Sequence, residues 1–280
     1  MQKQFEVSGP VGIDVRLASG DIDIDPTLEG RVEVELIGSD EESRALVEQA
    51  RVELHEHGTP KVVIDVPQRR SGIGFGFLFG REGVTCRVRC PERSTLTART
   101  KSAEVTARGT LAGANVATAS GDVELERVEG GASAKTASGD IRVREVTESA
   151  SLQTASGDIS VHVARGPVTV STASGDVEVG EAYDDVSVNS VSGDQHHRAV
   201  VQGNVGAHSV SGDIMIGVRK GSRAWLDCNT VSGDTSSELE VTADAPEGDG
   251  PLVEIRAKTV SGDIRITRAP APAGTMEVQA

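Results

Sequence analysis

Carboxylate side chains recur in this 280-residue sequence at a spacing that could build a regular array. The triplet Ser-Gly-Asp occurs eight times between residues 120 and 263, first at intervals of 18 residues and later at 19, 21 and 29. If the copies stack like neighbouring β-strands, about 4.8 Å apart, each carboxylate repels the next by roughly 1 kcal/mol in water. Either hydrogen bonds outweigh that repulsion or cations bind along the ladder. The aspartates are Asp122, Asp140, Asp158, Asp176, Asp194, Asp213, Asp234 and Asp263.

The chemistry of the triplet favours hydrogen bonds over cations. Glycine supplies a backbone with positive φ, and the side chains of Ser and Asp accept hydrogen bonds from nearby backbone amides. The glycine-rich nonapeptide of calcium-binding β-rolls is absent. The aspartate ladder is therefore predicted to be a structural turn with no metal, and cation binding is the alternative.

Histidines form one other cluster that could do chemistry. His196, His197 and His208 lie near Asp194 and Asp213 in the sequence, which could give an acid–base pair or a metal site. Exposed strand histidines are the commoner explanation of such a cluster. The sequence has no nucleophile elbow, phosphate-binding loop or HExxH motif. We therefore expect no catalytic residue, no cofactor, no small-molecule substrate and no enzymatic activity.

Composition narrows the partners and the compartment. A formal net charge of −15 repels nucleic-acid phosphates, so no nucleic-acid partner is expected. The three cysteines match no metal-ligand spacing, and Cys86 and Cys90 on one strand would lie about 13 Å apart, too far for a disulfide. The sequence begins MQKQFEV, which does not read as a signal peptide, and contains no run of 18 apolar residues. These features favour the cytoplasm, with the inner-membrane surface as a peripheral location.

The repeats predict the elements that would position these side chains. Each unit carries two runs in which apolar and polar residues alternate, which indicates two short strands with one buried face each. Two strands within 18 residues leave no room for a helical crossover, so each strand is predicted to pair with its counterpart one turn along. The fold class is all-β: a parallel β-solenoid of about 18 residues per coil, right-handed by the usual rule for parallel crossovers. The residues predicted to stack include Val105, Val123, Ile141, Ile159 and Val177.

The first 100 residues differ from the repeats and are predicted to be a β-rich cap. Alternation indicates strands at 11–25, 31–37, 51–56 and 61–66. The segment Ser39-Asp40-Glu41-Glu42 matches a capping box that opens a helix to about Ala50. Such an element would cover the solenoid end, which otherwise invites edge pairing. The predicted domains are a cap over residues 1–100, a solenoid over 101–268 and a disordered tail over 269–280.

An apolar insert interrupts the predicted cap. Residues 71–83 read SGIGFGFLFGREG and contain three of the four phenylalanines. The insert is too short to span a bilayer. It could enter a membrane surface or dock on a partner, with its arginines against anionic groups, or its phenylalanines could fold back over the solenoid end. The candidate docking loop comprises Phe75, Phe77, Phe79, Arg69, Arg70 and Arg81.

Two units depart from the inward apolar pattern. Gln195 and His197 replace aliphatic residues in one unit, and Thr235 and Ser237 replace them in another. The second of these units also carries the longest insertion, with an acidic loop at residues 245–251. In repeat proteins, extra residues extend from one face, often the binding face.

The repeat motif is similar to that of a known family. Units of the form T-[AV]-S-G-D-[IV]-x-[VI] from Thr118 onward resemble the bacterial toastrack family, a DUF4097-type β-strand-repeat family also labelled "putative adhesin". The resemblance covers most of residues 10–268, and the insert before Cys90-Pro91 is similar to actinobacterial forms. It implies a non-catalytic β-solenoid, often linked to envelope-stress systems or anchored to a membrane through other segments. This sequence departs from anchored members because it shows no transmembrane segment.

These observations rank the candidate functions. The leading prediction is a non-catalytic interaction scaffold linked to bacterial envelope stress, which binds a protein partner or reaches the membrane surface through the Phe insert. A surface adhesin that binds carbohydrate or protein is the second. A filament subunit that associates end to end or edge to edge is the third, and a carbohydrate-active enzyme is the last.

Overall fold

The computed structural model describes residues 1–56, 58–68, 83–239 and 250–269. The chain divides into two compact units, residues 1–157 and residues 158–280. In the described residues each unit contains strands of two sheets, called sheet A and sheet B below, and the first unit adds one helix. The predicted fold class is confirmed, because the described chain is a nearly all-β solenoid of long parallel sheets.

In the described residues, the first unit contains fourteen strands and the helix. In chain order the elements are β1 (Gln2–Glu6), β2 (Gly12–Leu17), β3 (Gly20–Asp25), β4 (Arg31–Gly38), α1 (Glu41–Gln49), β5 (Arg51–His55), β6 (Lys61–Asp65), β7 (Val84–Arg89), β8 (Thr95–Thr100), β9 (Glu104–Leu111), β10 (Gly113–Ala117), β11 (Val123–Val128), β12 (Ala132–Lys135), β13 (Ile141–Val146) and β14 (Ala150–Gln153). Its sheet A has the order β1-β4-β7-β3-β9-β11-β13, and its sheet B has the order β14-β12-β10-β8-β2-β6-β5.

The part of the second unit that the structure describes contains eleven strands. In chain order they are β15 (Ile159–Ala164), β16 (Val168–Ser174), β17 (Val177–Ala182), β18 (Val186–Ser192), β19 (Gln195–Val200), β20 (Gly203–His208), β21 (Ile214–Arg219), β22 (Arg223–Ser232), β23 (Thr235–Ser237), β24 (Leu252–Ser261) and β25 (Ile264–Ala269). Its sheet A has the order β15-β17-β19-β21-β25-β23, and its sheet B has the order β22-β24-β20-β18-β16.

Parallel pairing in register stacks the inward side chains. In the first unit Val123 pairs with Val105 on one side and Ile141 on the other, and all three are fully buried. In the second unit Ile159 pairs with Val177, and both are 1% exposed. Each strand thus places aliphatic residues directly over those of its neighbours, and each fully buried Val or Ile stabilises the fold by roughly 1.5–3 kcal/mol.

Strands do not follow chain order at either end of the repeat, although the sequence predicts that they do. In the first unit, β2 lies between β6 and β8, and β3 lies between β7 and β9. In the second unit, β24 lies between β20 and the earlier strand β22, and β25 lies between β21 and the earlier strand β23. The prediction that every unit pairs with the next one in sequence is therefore wrong at these two places.

Burial explains the inverted order in the second unit. The inward residues of β24 and β25, among them Ile255, Ile264 and Ile266, are fully buried between two neighbours. The corresponding residues of β23, Thr235 and Ser237, are exposed. Because an end strand has a neighbour on one side only, the polar unit occupies the end and the apolar unit takes the interior. The break in the inward pattern at Thr235 and Ser237 thus has a positional cause.

The predicted helix and strands of the first 66 residues are present, with a difference at the helix start and with one further strand, β1, that the sequence did not predict. The N-cap is Asp40, where the sequence pattern had placed Ser39. Asp40 Oδ1 accepts from the Ser43 amide at 2.7 Å, and Ser43 Oγ accepts from the Asp40 amide at 3.0 Å. A carboxylate caps as well as a hydroxyl, so the box forms one residue later. The division into a cap over 1–100 and a solenoid over 101–268 stays a prediction, and β2 and β3 pair with β8 and β9. The predicted disordered tail over 269–280 is wrong at its first residue, because Ala269 is the buried last residue of β25, and residues 270–280 lie outside the described residues.

Ion pairs link the strands on either side of β7 in the first unit. The central strand β7 presents Arg87 and Arg89 between two acidic strands. Arg89 reaches Glu33 at 3.1 Å on one side and Asp25 at 3.9 Å on the other. Exposed ion pairs contribute little stability, but a register shifted by one residue would turn these charges into the core. The charge pattern therefore favours the observed register between β7 and its two neighbouring strands.

Substitution of a turn glycine tests how closely adjacent coils approach. Gly193 has φ +126°, and a Cβ built there would lie 2.2 Å from the Gly175 carbonyl oxygen of the next coil. We expect Gly193→Ala to lower the free energy of unfolding by about 3 kcal/mol, because strain and overpacking add. Urea unfolding followed by circular dichroism measures this.

The control for that substitution is Gly206→Ala on β20, where a Cβ would meet only a side-chain nitrogen of His208 at 4.0 Å. It should leave the urea midpoint nearly unchanged. Equal midpoints for both variants would contradict the close approach.

Candidate functional site

The aspartates of the Ser-Gly-Asp copies form a hydrogen-bonded ladder within each unit. In the first unit the Asp140 amide donates to Asp122 Oδ1 at 2.9 Å. In the second unit every step is 2.8 Å and follows the spatial order of the strands, so the ladder runs Asp158, Asp176, Asp194, Asp213, Asp263, Asp234. In each of these steps a carboxylate accepts an amide proton from the neighbouring coil, which offsets the repulsion between neighbouring carboxylates.

The partners of this ladder differ from those that the sequence suggested. The aspartates bridge two coils instead of closing their own turn. In the first unit a threonine hydroxyl accepts the turn amide instead: the Gly121 amide donates to Thr118 Oγ1 at 3.0 Å, and the Gly139 amide donates to Thr136 Oγ1 at 2.9 Å. The Ser120 hydroxyl donates to the Lys101 carbonyl at 3.4 Å. Among the residues that the structure describes, no group of three or more His, Cys, Asp or Glu side chains could hold a metal ion.

The histidine cluster is not brought together by the fold. His196 and His197 point to opposite faces of β19 in sheet A, whereas His208 lies on β20 in sheet B. His197 is 1% exposed and stacks between Val179 and Ile216. Neither ring nitrogen has a hydrogen-bond partner among the described residues. Burial lowers the pKa of His197 to about 4, with a smaller effect from His196, so its imidazole is neutral at pH 7.

Gln195 shares this polar stretch of the core. It is fully buried on the same strand, two residues from His197, and its Nε2 donates to the His208 carbonyl at 2.8 Å. Its Oε1 has no partner among the described residues. The geometry gives two buried polar side chains instead of an acid–base pair. Because some of their polar atoms lack hydrogen-bond partners among the described residues, these two side chains lower the stability of the fold, whereas aliphatic residues at the same positions would raise it.

The cysteines are thiols without a nucleophile's environment. All three are free, and Cys86 and Cys90 are fully buried. Burial raises the pKa of Cys86 to about 12 and that of Cys90 to about 11. Burial also raises the pKa of Cys228, which is half-buried on β22. A thiol with a raised pKa is a poor nucleophile near neutral pH.

The candidate docking loop, Phe75, Phe77, Phe79, Arg69, Arg70 and Arg81, lies outside the described residues. Its exposure stays a prediction. No helix among the described residues has the length and apolar character that a membrane crossing requires.

A row of exposed valines crosses the second unit. The residue before each of the last four Ser-Gly-Asp copies is Val. These copies begin at the last residue of the strands β18, β24 and β22, and just after the end of β20, which lies between β18 and β24. Each of the four side chains is at least 49% exposed, and Val231 is 78% exposed. This valine row consists, in spatial order, of Val191, Val210, Val260 and Val231.

Polar side chains lie beside the valine row on the outer face of sheet B. Two residues before each valine, the same four strands carry Asn189, His208, Lys258 and Asn229 in register. Trp225, the single tryptophan, lies near the start of β22 and is 43% exposed. The Arg256 guanidinium lies 5.5 Å from its ring centroid and 3.2 Å from Glu254. Sequence reasoning missed this surface, although the change from Ala in the first four copies to Val in the last four was its signal.

The geometry therefore offers an outer face of sheet B with a row of exposed valines and no assembled catalytic group among the described residues. The Toastrack DUF4097 family model matches residues 11–267. The chain belongs to the Toastrack DUF4097 family. The match spans both units, so the β-solenoid of stacked Ser-Gly-Asp coils described above is the Toastrack fold of this chain.

Solved structures of other proteins are similar to this chain. A protein of Bacteroides fragilis described as a "putative adhesin" is 13% identical, with 95% of this chain and 96% of that chain covered and a TM-score of 0.52. A second, from Parabacteroides distasonis and described in the same words, is 14% identical with the same coverage and a TM-score of 0.49. A "putative lipid binding protein" of Parabacteroides distasonis is 13% identical, with 94% and 96% covered and a TM-score of 0.44. No curated protein matches the sequence.

The buried histidine predicts a pH dependence of stability. The pKa of His197 is about 4 in the folded chain and about 6.5 when unfolded. Between these values the unfolded state binds more protons, so the stability present above pH 6.5 is lost as the pH falls towards 4, by about 3 kcal/mol in total. We expect His197→Leu to remove this contribution and to be more stable than the parent at pH 5, as measured by urea unfolding from pH 4 to 8.

His196→Gln is the matched control for this change, because it alters the neighbouring outward histidine and leaves His197 in place. It should keep the parent's pH dependence. A parent and a His197→Leu variant with parallel stability curves would contradict the burial of His197.

The aspartate ladder predicts a difference between two substitutions at one position. In Asp194→Asn the amide oxygen still accepts from the Asp213 backbone and one repulsive charge is gone, so stability should hold or rise. In Asp194→Ala the acceptor is lost, at a cost of about 1 kcal/mol. Melting temperatures should also be equal in millimolar calcium and in chelator. A calcium-dependent rise that Asp194→Asn abolishes would instead favour cations along the ladder.

Proposed function

We propose that this protein is a non-catalytic scaffold that binds a protein partner through the valine row of its second unit. The observation that supports this proposal is the exposure of four valines on adjacent strands, each at least 49% exposed. Contiguous apolar side chains on a soluble surface are characteristic of interaction sites. Scattered exposed valines would need no explanation, but four in consecutive coils form one continuous strip.

The surroundings of the valine row have the composition of an interface. Trp and Arg are the residues most enriched among those that dominate binding energy, and here Trp225 and Arg256 contact each other at the edge of the same face. Asn189, His208 and Asn229 supply polar groups beside the apolar strip, as an interface rim does. Since the strands hold these side chains on a fixed backbone, binding orders little of the chain and loses little entropy.

The histidine geometry supports a binding role over catalysis. The residues that could have formed an acid–base pair lie on different sheets or inside the core. The Bacteroides fragilis protein of the same fold is described as an adhesin, a class that acts by binding. Adhesion at a cell surface is therefore the second candidate function, and fractionation of the producing cells separates it from a cytoplasmic scaffold.

Association with a membrane, a link to envelope stress and a cytoplasmic location are finer proposals. They rest on the composition of the Phe insert and on the family resemblance. Co-sedimentation with anionic liposomes tests the first, with the parent compared to a Phe75→Ser, Phe77→Ser, Phe79→Ser variant. Recovery of the parent alone with the liposomes supports recruitment by the insert, and equal recovery of both removes it.

Binding through the valine row is tested by substitution within it. The parent and a Val191→Ser, Val210→Ser, Val260→Ser variant are immobilised and exposed to extract of the producing organism. A protein retained by the parent is then purified and titrated against both by calorimetry. We expect binding to weaken at least tenfold in the variant, because each valine truncated at an interface costs about 1 kcal/mol.

The matched control for the valine substitutions changes the same motif position in earlier copies, with Ala119→Ser, Ala137→Ser and Ala155→Ser. It should bind like the parent. Equal binding by all three proteins, or no retained protein at all, would contradict the proposal.

A further inference from the structure

The strand β22 forms the end of sheet B in the second unit. It is ten residues long and pairs with β24 alone among the described residues. The Arg223 amide donates to the Pro251 carbonyl at 2.9 Å, on the β24 side. Since backbone groups alternate along a strand, those of Leu226, Cys228 and Thr230 point away from β24. An unpaired strand edge of this length is a template for pairing with another strand.

The interior beside this edge is also incompletely covered. The inward residues of β22, Ala224, Leu226 and Cys228, are all half-buried. Their neighbours on β24, among them Ile255 and Ala257, are fully buried. A further strand added beside β22 would therefore bury apolar surface as well as satisfy backbone groups, as each interior strand of this unit does.

Two copies of β22 can pair with each other, with complementary side chains opposed on either side of one central residue. If two copies meet edge to edge around a two-fold axis, their β22 strands run antiparallel, and residues equidistant from the axis face each other. With the axis at Cys228, the exposed Trp225 faces the exposed Val231 of the second copy on the outer face. Asp227 then faces Asn229, which can donate to its carboxylate. An axis at Asp227 would instead oppose two like charges.

This register also agrees with the direction of the backbone groups. Cys228 faces its equivalent, and Leu226 faces Thr230 twice, in pairs whose amides and carbonyls all point to the free edge. Such pairs exchange two hydrogen bonds each, which gives about six across the interface, with Cα atoms about 5.5 Å apart. That separation lies within the range that a disulfide spans.

We propose that β22 is a dimerisation edge that pairs antiparallel with β22 of a second copy of this chain, centred on Cys228. The two outer faces of sheet B then continue into one another across the dimer. This inference shares Trp225, Asn229 and Val231 with the surface proposed for the partner, but it does not rest on that partner, because it concerns the backbone edge of β22 and needs no second protein.

Three readouts on the full chain test the dimer. Sedimentation velocity should show a monomer–dimer equilibrium between about 1 and 200 µM. Because Trp225 is the single tryptophan, its emission should shift to shorter wavelength as the dimer forms. Diamide, which takes two electrons from two thiols to form one disulfide, should link two chains through Cys228. Cys228→Ser should remain dimeric and lose the link, while the buried Cys86 and Cys90 provide no alternative.

A charge exchange on the outer face tests the register. Asn229→Asp places like charges opposite each other twice per dimer, and the dissociation constant should rise about tenfold. Adding Asp227→Asn to that variant restores an Asn opposite an Asp and should restore dimerisation. Both side chains lie on the outer face of the strand, so the fold of each copy should stay intact, which circular dichroism verifies.

Two outcomes would overturn the proposal. The first is a monomer at every concentration with no link through Cys228, which would mean that the edge of β22 is closed within one chain. The second is a dimer whose dissociation constant is the same with Asn229→Asp as without it.

Discussion

The structure depends on parallel backbone pairing in register between stacked coils. One strand pairs with the equivalent strand of the adjacent coil, as Val123 does with Ile141, and this pairing alone places aliphatic residues over one another. The side chains are small, and only 2% of the residues are aromatic, so stability comes from many equal contacts and from close packing. The glycines and aspartates of the turns serve that same spacing. Gly193 lets two carbonyl-lined turns approach, and each Asp side chain joins one coil to the next.

Every interior coil has two equivalent neighbours, so the features that do not repeat from coil to coil lie at the ends of the repeat. At the end of the second unit the chain places the strands β22 and β23 outermost and inserts the later strands β24 and β25, whose inward aliphatic residues are buried, behind them. The same region carries the valine row, the exposed Trp225 and the edge of β22 that has no partner strand among the described residues. Function and self-association are thus both inferred where the repeat is least regular, while the regular part holds those features on a fixed backbone.

The periodic part of this structure could be predicted from the sequence, and the aperiodic part could not. Alternation and the 18-residue interval predicted the strands, their parallel pairing and the inward position of Ile141 and Val177, because burial repeats with the motif. The order of the strands at the ends could not be predicted in this way. It depends on which of two similar units loses least by exposure, a comparison between distant residues that a local pattern does not contain.

The candidate sites show the same division. The aspartate ladder was visible as a period, but its hydrogen bonds run between coils and required coordinates. In the sequence, His197 stood both at an inward position of its unit and in the candidate histidine cluster, and the structure places it at the inward position, over Ile216. The change from Ala119 to Val191 before the motif was visible as well, but only the strand order shows that the four valines are adjacent.

Disulfide trapping between neighbouring coils tests the in-register stacking most directly. In a chain with Cys228→Ser, the pair Glu124→Cys and Arg142→Cys places two outward thiols on directly opposed residues of β11 and β13, about 4.8 Å apart at Cα. The pair Glu124→Cys and Arg144→Cys is offset by two residues, which is beyond the reach of a disulfide. Mild oxidation should close the first pair within the monomer and leave the second open. Closure of the offset pair, or of neither, would contradict the stacking on which this account rests.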